Sequence, residues 1–255
     1  MKTALKIILS VILSFVFSIS IHAGEKKNQG NIPGQLSFRM ERFEITWRTS
    51  SNSFKMNAYV VFSSETREAV LIDPGQVDLR IDDFLRRENL KLVGILNTHG
   101  HFDHTGGNQH YSLEFKVPVY VHKGDRSFYG TPLSDQVFFD GKKPLVIGGI
   151  SIKVIATPGH SRGSVCYLIG NMLFSGDTLF AGSIGIAPSK ASKPVKERAL
   201  REEIFNIKTR LLVLPDNTPV YPGHNQSTTI GTEKTTNRWL LSEPEHSEME
   251  QSEEY

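Results

Sequence analysis

Cysteine is nearly absent: Cys166 is the single one in 255 residues. No internal disulfide can form, so no redox staple supports the fold. Cys166 lies in the apolar run SVCYLIG, where an inert buried thiol is expected and not a nucleophile. A strong charge of one sign is missing too. The formal charge is +2, and it falls to about 0 once Lys2 and Lys6 are set aside with the N-terminal segment discussed below. A near-neutral body gives no basis for nucleic acid or an anionic membrane as the main partner. There is no repeat at a spacing of about 20–50 residues and no internal linker, which leaves one domain.

One long apolar run exists, at the start. MKTALKIILSVILSFVFSISIHA has Lys2 and Lys6 ahead of an uncharged stretch from Ile7 to Ile21, then Ala23. That is the layout of a secretory signal peptide over residues 1–23, so an exported protein, periplasmic or secreted, is expected. A retained anchor helix is the alternative, although the run is short for a span of about 20 residues. After cleavage no stable membrane insertion is expected. Residues 24–36 read as a flexible leader, and residues 37–241 as the folded domain. Residues 242–255, SEPEHSEMEQSEEY, read as an acidic disordered tail in which His246 is idle.

Within the domain, short β-type runs end at Gly, Pro, Asp or Asn: FRMERFEITW, NAYVVF, AVLID, LVGILNT, VPVYVH, SIKVIAT, SVCYLIG and MLFSGD. Two amphipathic helices stand between them. Val77, Ile81, Phe84 and Leu85 share one face of the first. Leu200, Ile204, Ile207, Leu211 and Leu214 line the second, with Pro194 near its start and Pro215 at its end. Several consecutive strands have no helix between them. This predicts an α+β fold of packed antiparallel or mixed sheets with helices outside, not a doubly wound parallel sheet.

The chemistry concentrates in THGHFDHTGG, residues 98–107, which holds three of the nine histidines. In extended backbone His99 and His101 put both rings on one side, a spacing suited to a shared metal. Asp103 and His104 follow as the chain turns into a short helix, so they can face a second, adjacent position. Three more ligand-type residues sit in matching surroundings. His160 follows the strand SIKVIAT in TPGHSRGS, Asp177 follows MLFSG, and His224 follows a short strand in VYPGHNQS. Strand, tight turn and ligand recur four times, as expected if the strand ends meet at one rim.

HGHFDH, PGH, SGD and PGH in this order resemble the metallo-β-lactamase superfamily, and within it the glyoxalase II-like (hydroxyacylglutathione hydrolase-like) enzymes. The resemblance runs from about Asn57 to Trp239 and takes in VLIDPG and TTIGTEKTTNRWL. It implies a four-layer αβ/βα sandwich with its metals at one edge. It implies that His99, His101 and His160 hold a first ion, that Asp103, His104 and His224 hold a second, and that Asp177 bridges them. Asp73 matches a position that orients the ligand loops; a plain turn aspartate before Pro74 is the alternative. Such a donor set suits two divalent ions, zinc first, with iron or manganese compatible. The expected activity is hydrolysis of an acyl bond, a thioester in particular, by a hydroxide shared between the ions. Asp103 would orient it or take its proton. The partner is a small acyl substrate.

Some residues depart from the glyoxalase II pattern. Arg162 replaces a proline in PGHSRGS, either to hold a substrate carboxylate or as a solvent-facing loop residue. Ile186 stands where relatives often have arginine, and the acidic stretch 242–255 stands where full-length glyoxalase II carries a helical C-terminal domain. Three other readings remain: an exported zinc β-lactamase, a persulfide dioxygenase using one iron and leaving the second set idle, and a non-catalytic metal-binding module.

Overall fold

The computed structural model describes residues 36–48, 53–129, 135–185 and 192–241. The expected signal peptide, nearly all of the leader, the acidic tail and Ile186 lie outside them. Six strands form the first sheet in chain order: β1 (Phe38–Arg48), β2 (Ser53–Ser63), β3 (Glu68–Ile72), β4 (Lys91–Leu96), β5 (Val119–His122) and β6 (Gln136–Phe139). The β1–β2–β3 pairs are antiparallel, and β3 through β6 pair in parallel. Then come β7 (Leu145–Ile147), β8 (Ile150–Ala156), β9 (Val165–Ile169), β10 (Met172–Gly176), a hairpin of β11 (Leu179–Phe180) and β12 (Ser183–Ile184), β13 (Pro219–Pro222) and β14 (Thr228–Thr229). The second sheet runs β14-β13-β10-β9-β8-β7, antiparallel except where β13 joins β10. The sheets are mixed, as the helix-free strand succession predicts.

Period-two alternation divides each strand between two cores. Tyr59, Val61, Val70, Ile72 and Leu96 of the first sheet meet Ile150, Ile152, Val165, Tyr167 and Phe174 of the second in an inner layer. The other face of the first sheet, including Ala58, Val60, Leu71 and Ile95, packs under α1 (Leu79–Arg87) and α3 (Asn108–Phe115) through Ile81, Phe84, Leu85 and Tyr111. The outer face of the second sheet is covered by α4 (Lys193–Asn206), α5 (Ile230–Thr236) and α6 (Arg238–Leu241), with Ile207, Leu211, Ile230 and Leu240 over Cys166, Leu173 and Val220. Helix, sheet, sheet, helix: the four-layer sandwich is the fold.

Two details differ from the sequence expectation. Val77 is exposed because α1 begins two residues later, at Leu79, after the Asp78 side chain accepts the Arg80 backbone N–H and caps the helix. The second amphipathic stretch is not one regular helix; after Asn206 it continues as a π-helical turn, Ile207–Leu211. That turn still buries Ile207 and Leu211 against the sheet. Among the described residues no helix is long and apolar enough to cross a membrane.

Candidate metal centre

The four strand ends do meet. His99 and His101 follow β4, with Asp103 and His104 on α2 (Phe102–Thr105); His160 follows β8, Asp177 follows β10 and His224 follows β13. All seven donor residues singled out in the sequence converge. His101 Nδ1 lies 3.0 Å from His99 Nε2 and 2.9 Å from His160 Nε2. A second group forms beside it: His104 Nε2 is 3.3 Å from His224 Nε2, and Asp103 Oδ2 is 3.6 Å and 3.4 Å from these two nitrogens. Asp177 reaches both. Its Oδ2 lies 3.6 Å from His160 Nε2, 4.0 Å from His99 Nε2 and 3.4 Å from His224 Nε2, and its Oδ1 lies 3.4 Å from His104 Nε2.

Other bonds fix which ring nitrogen faces the pocket. His224 Nδ1 donates to the Lys55 carbonyl at 2.6 Å, which turns Nε2 inward. His104 Nδ1 sits 3.1 Å from Asp73 Oδ2 and, facing a carboxylate, is the donor. The same carboxylate accepts the Thr98 backbone N–H (2.8 Å) and Thr98 Oγ1–H (2.6 Å). Thr98 Oγ1 is therefore left to accept from His99 Nδ1, 3.1 Å away. Asp73 thus orients His104 directly and His99 through one hydroxyl, from a left-handed backbone position (φ 49°). Although Asp73 also clusters with His99 and His104, its oxygens are committed to these contacts, which makes it a support for the donors.

The surroundings suit cations. Asp177 Oδ1 is buried without a hydrogen-bond partner, and imidazole nitrogens about 3 Å apart cannot all be satisfied by one another's protons. Burial opposes charge on Asp177, yet His104, His224 and His99 hold its carboxyl well below the usual range. Burial likewise disfavours a charged His104 and His224, but Asp177, with Asp73 for the one and Asp103 for the other, raises both, His224 to about 10. Buried His99 is instead held well below its ordinary value, neutral and able to offer a lone pair. The carboxylates of Asp73, Asp103 and Asp177 therefore favour positive charge among these nitrogens. His99, His101 and His160 could hold one ion, and Asp103, His104 and His224 another.

The loop after β13 comes very close. Asn57 N–H and side chain bond Gly223 O, Pro222 O and Asn225 O, and Tyr59 Oη–H donates to Pro222 O at 2.6 Å. A side chain at Gly223 has no room: its Cβ would lie 2.4 Å from Asp177 Oδ1 and 2.6 Å from His104 Cε1. Arg162 is exposed, two positions after His160. Aromatic rings flank the pocket, Phe128 at 5.3 Å from the His101 ring, Phe54 and Phe180 at 6.2 and 6.1 Å from His224. The sequence reading missed Asp125, which is fully buried and bonded to both ligand-bearing loops. In VHKGDRSFYG it looks like an ordinary turn aspartate.

The family model described as metallo-β-lactamase superfamily matches residues 55–224, ending on His224. The chain belongs to this superfamily. A hydroxyacylglutathione hydrolase of Shewanella halifaxensis is 35% identical over 175 residues, 68% of this chain and 63% of that one. The crystal structure of BLEG-1 B3 metallo-β-lactamase is 31% identical with a TM-score of 0.69, covering 80% of this chain and all of the other. The crystal structure of TTHA1623 in a di-iron-bound form is 32% identical with a TM-score of 0.63, covering 78% of this chain and 100% of the other. With its histidine and aspartate donors gathered at the strand ends, this superfamily member is a metal-dependent hydrolase.

Proposed function

We propose that the chain binds two divalent ions, zinc first, and hydrolyses a thioester in the manner of the glyoxalase II-like enzymes. The observation that carries this reading is Asp177: one carboxylate stands within 4.0 Å of imidazoles from both groups of donors. A carboxylate so placed supports a shared pair of sites better than a single ion with an idle second set, which is what a mononuclear dioxygenase would leave. The di-iron form of a 32% identical protein points the same way.

When bound, such ions supply Lewis-acid polarisation of a carbonyl and acidify water near neutral pH. The chain's residues do the rest. Asp103, held below its usual carboxylate range despite burial by His224 and His104, is the group positioned to accept a proton at Oδ2. Asp73 and the Lys55 carbonyl keep His104 and His224 in register. Phe54, Phe128 and Phe180 give the mouth apolar sides, fit for the carbon skeleton of an acyl group. Cys166 is excluded as nucleophile: it is buried, its thiol is pushed up to about 12 by burial, and it faces Thr157 and the Ser175 carbonyl.

A β-lactam is the second substrate class, favoured by the 31% identical B3 enzyme. Purified protein reconstituted with zinc and assayed on lactoylglutathione beside nitrocefin separates the two. Turnover of the thioester at least about tenfold above the lactam in kcat/KM is expected, with two zinc equivalents by elemental analysis. Turnover of nitrocefin alone rejects the thioester reading, and activity that survives exhaustive chelation rejects the metal mechanism. We also propose export on the strength of residues 1–23, which fractionation of the native host tests.

A further inference from the structure

Asp125 lies outside the converging donors, in a 3-10 segment, Lys123–Tyr129, that follows β5. It is 0% exposed. Burying a carboxylate is costly unless donors surround it, and here three do. Oδ2 accepts the Gly100 backbone N–H at 2.8 Å and Ser161 Oγ–H at 2.6 Å, and Oδ1 accepts the Gly163 backbone N–H at 2.7 Å. Gly100 stands between His99 and His101, and Ser161 follows His160. Every imidazole of the three-histidine group is therefore one residue from a bond to this carboxylate. No such bond reaches the residues beside Asp103, His104 or His224.

The rest of the segment repeats the contact. Phe128 packs edge-on against His101, and Tyr129 Oη–H donates to the His99 carbonyl at 3.4 Å. Gly163 is pressed so close that a Cβ there would lie 2.5 Å from Asp125 Cγ. The two loops come from different sheets. Val165 N–H also donates to the Thr98 carbonyl at 2.9 Å, but among the described residues only Asp125 bonds the backbone inside both loops with a carboxylate.

We infer that Asp125 is a positioning residue: it locks the loop of His99 and His101 to the loop of His160, and so sets the affinity of the three-histidine pocket alone. The inference rests on the metal-site reading above. Its mechanism is geometric. Two loops anchored on opposite sheets hold their nitrogens about 3 Å apart, and the Asp125 carboxylate ties both backbones close to those nitrogens. Asp125→Asn keeps the shape but replaces one accepting oxygen with an NH2 group. Whichever way the amide turns, that group faces the backbone N–H of Gly100 or of Gly163, and one of the two ties is lost.

The test titrates metal-free protein with Zn2+ against a chromophoric chelator and records the visible spectrum of the Co2+ form. His101→Ala marks which equivalent belongs to the three-histidine pocket. Asp125→Asn is expected to weaken that equivalent about 10–100-fold and to change its Co2+ bands, leaving the other equivalent at wild-type affinity. Ser161→Ala, which removes one bond of three, is expected to weaken the same equivalent less, and it carries the test should Asp125→Asn fail to fold. Wild-type affinity in both variants, or equal weakening of both equivalents, overturns the inference. Uptake of a single equivalent by the wild type overturns the two-ion reading instead; Asp125 is then judged by whether Asp125→Asn loses that equivalent.

Discussion

Asp73 and His104, 31 positions apart, meet at 3.1 Å beneath the pocket, and no water-accessible surface separates them: both are buried. The contact makes Nδ1 the donor and aims Nε2 at the metal position. Replacing Asp73 with Ala should weaken metal binding about 10–100-fold. It should also lower the stability of the metal-free protein by about 1–3 kcal/mol, since Thr98 and His104 lose a buried acceptor. Chelator competition and thermal melts measure the two effects; unchanged affinity would assign Asp73 to the turn alone.

Gly223 touches the site from behind. With its would-be Cβ 2.4 Å from Asp177 Oδ1, Gly223→Ala must displace the shared carboxylate or the loop. A shift of about 1 Å is enough to cost on the order of 10²-fold in kcat/KM. Circular dichroism should stay at the wild-type trace. A fully active Gly223→Ala would mean that Asp177 tolerates displacement and is not a precise bridge.

Cys166 separates metal hydrolysis from acyl-enzyme chemistry. Cys166→Ala should keep wild-type kcat, and iodoacetamide should not inhibit, because the thiol is fully buried and its pKa lies near 12. Loss of turnover on alkylation of the folded protein would contradict the mechanism.

Glu203, on α4, is buried with Oε1 lacking a partner among the described residues. Burial, with Asp177 nearby, raises its pKa from 4.5 to about 9. The unfolded chain releases this proton near 4.5 while the folded one keeps it to about 9, so the contribution to stability falls as pH rises across that window. In metal-free protein, the melting temperature of Glu203→Gln relative to wild type should therefore climb from pH 5 to pH 9. A difference constant with pH would show Glu203 ionised in the fold.

The seven donors were legible because their signals are local: a strand end, a glycine or proline turn and a ligand residue fall within a few positions of each other. Strand positions were legible for the same reason, since alternation is a short-range property. Asp125 was not, because its partners lie 25, 36 and 38 residues away and two of its three bonds are to backbone N–H groups, which carry no side-chain signature. Glu203 was hidden by its setting. On the charged stretch KERALREE it reads as a solvated residue, and only the packing of α4 under Gly159 buries it. The π turn after Asn206 escaped too, because the apolar stripe continues through it unchanged.

The donors are divided between the two sheets: His99, His101, Asp103 and His104 hang from β4, while His160, Asp177 and His224 hang from β8, β10 and β13. Each three-residue group takes members from both sides of the sandwich. An ion seated in either therefore acts as a rivet between halves of the molecule, and prying the halves apart must expel it. Chelators should then behave as gentle denaturants of this protein, and zinc concentration should set its resistance to proteolysis.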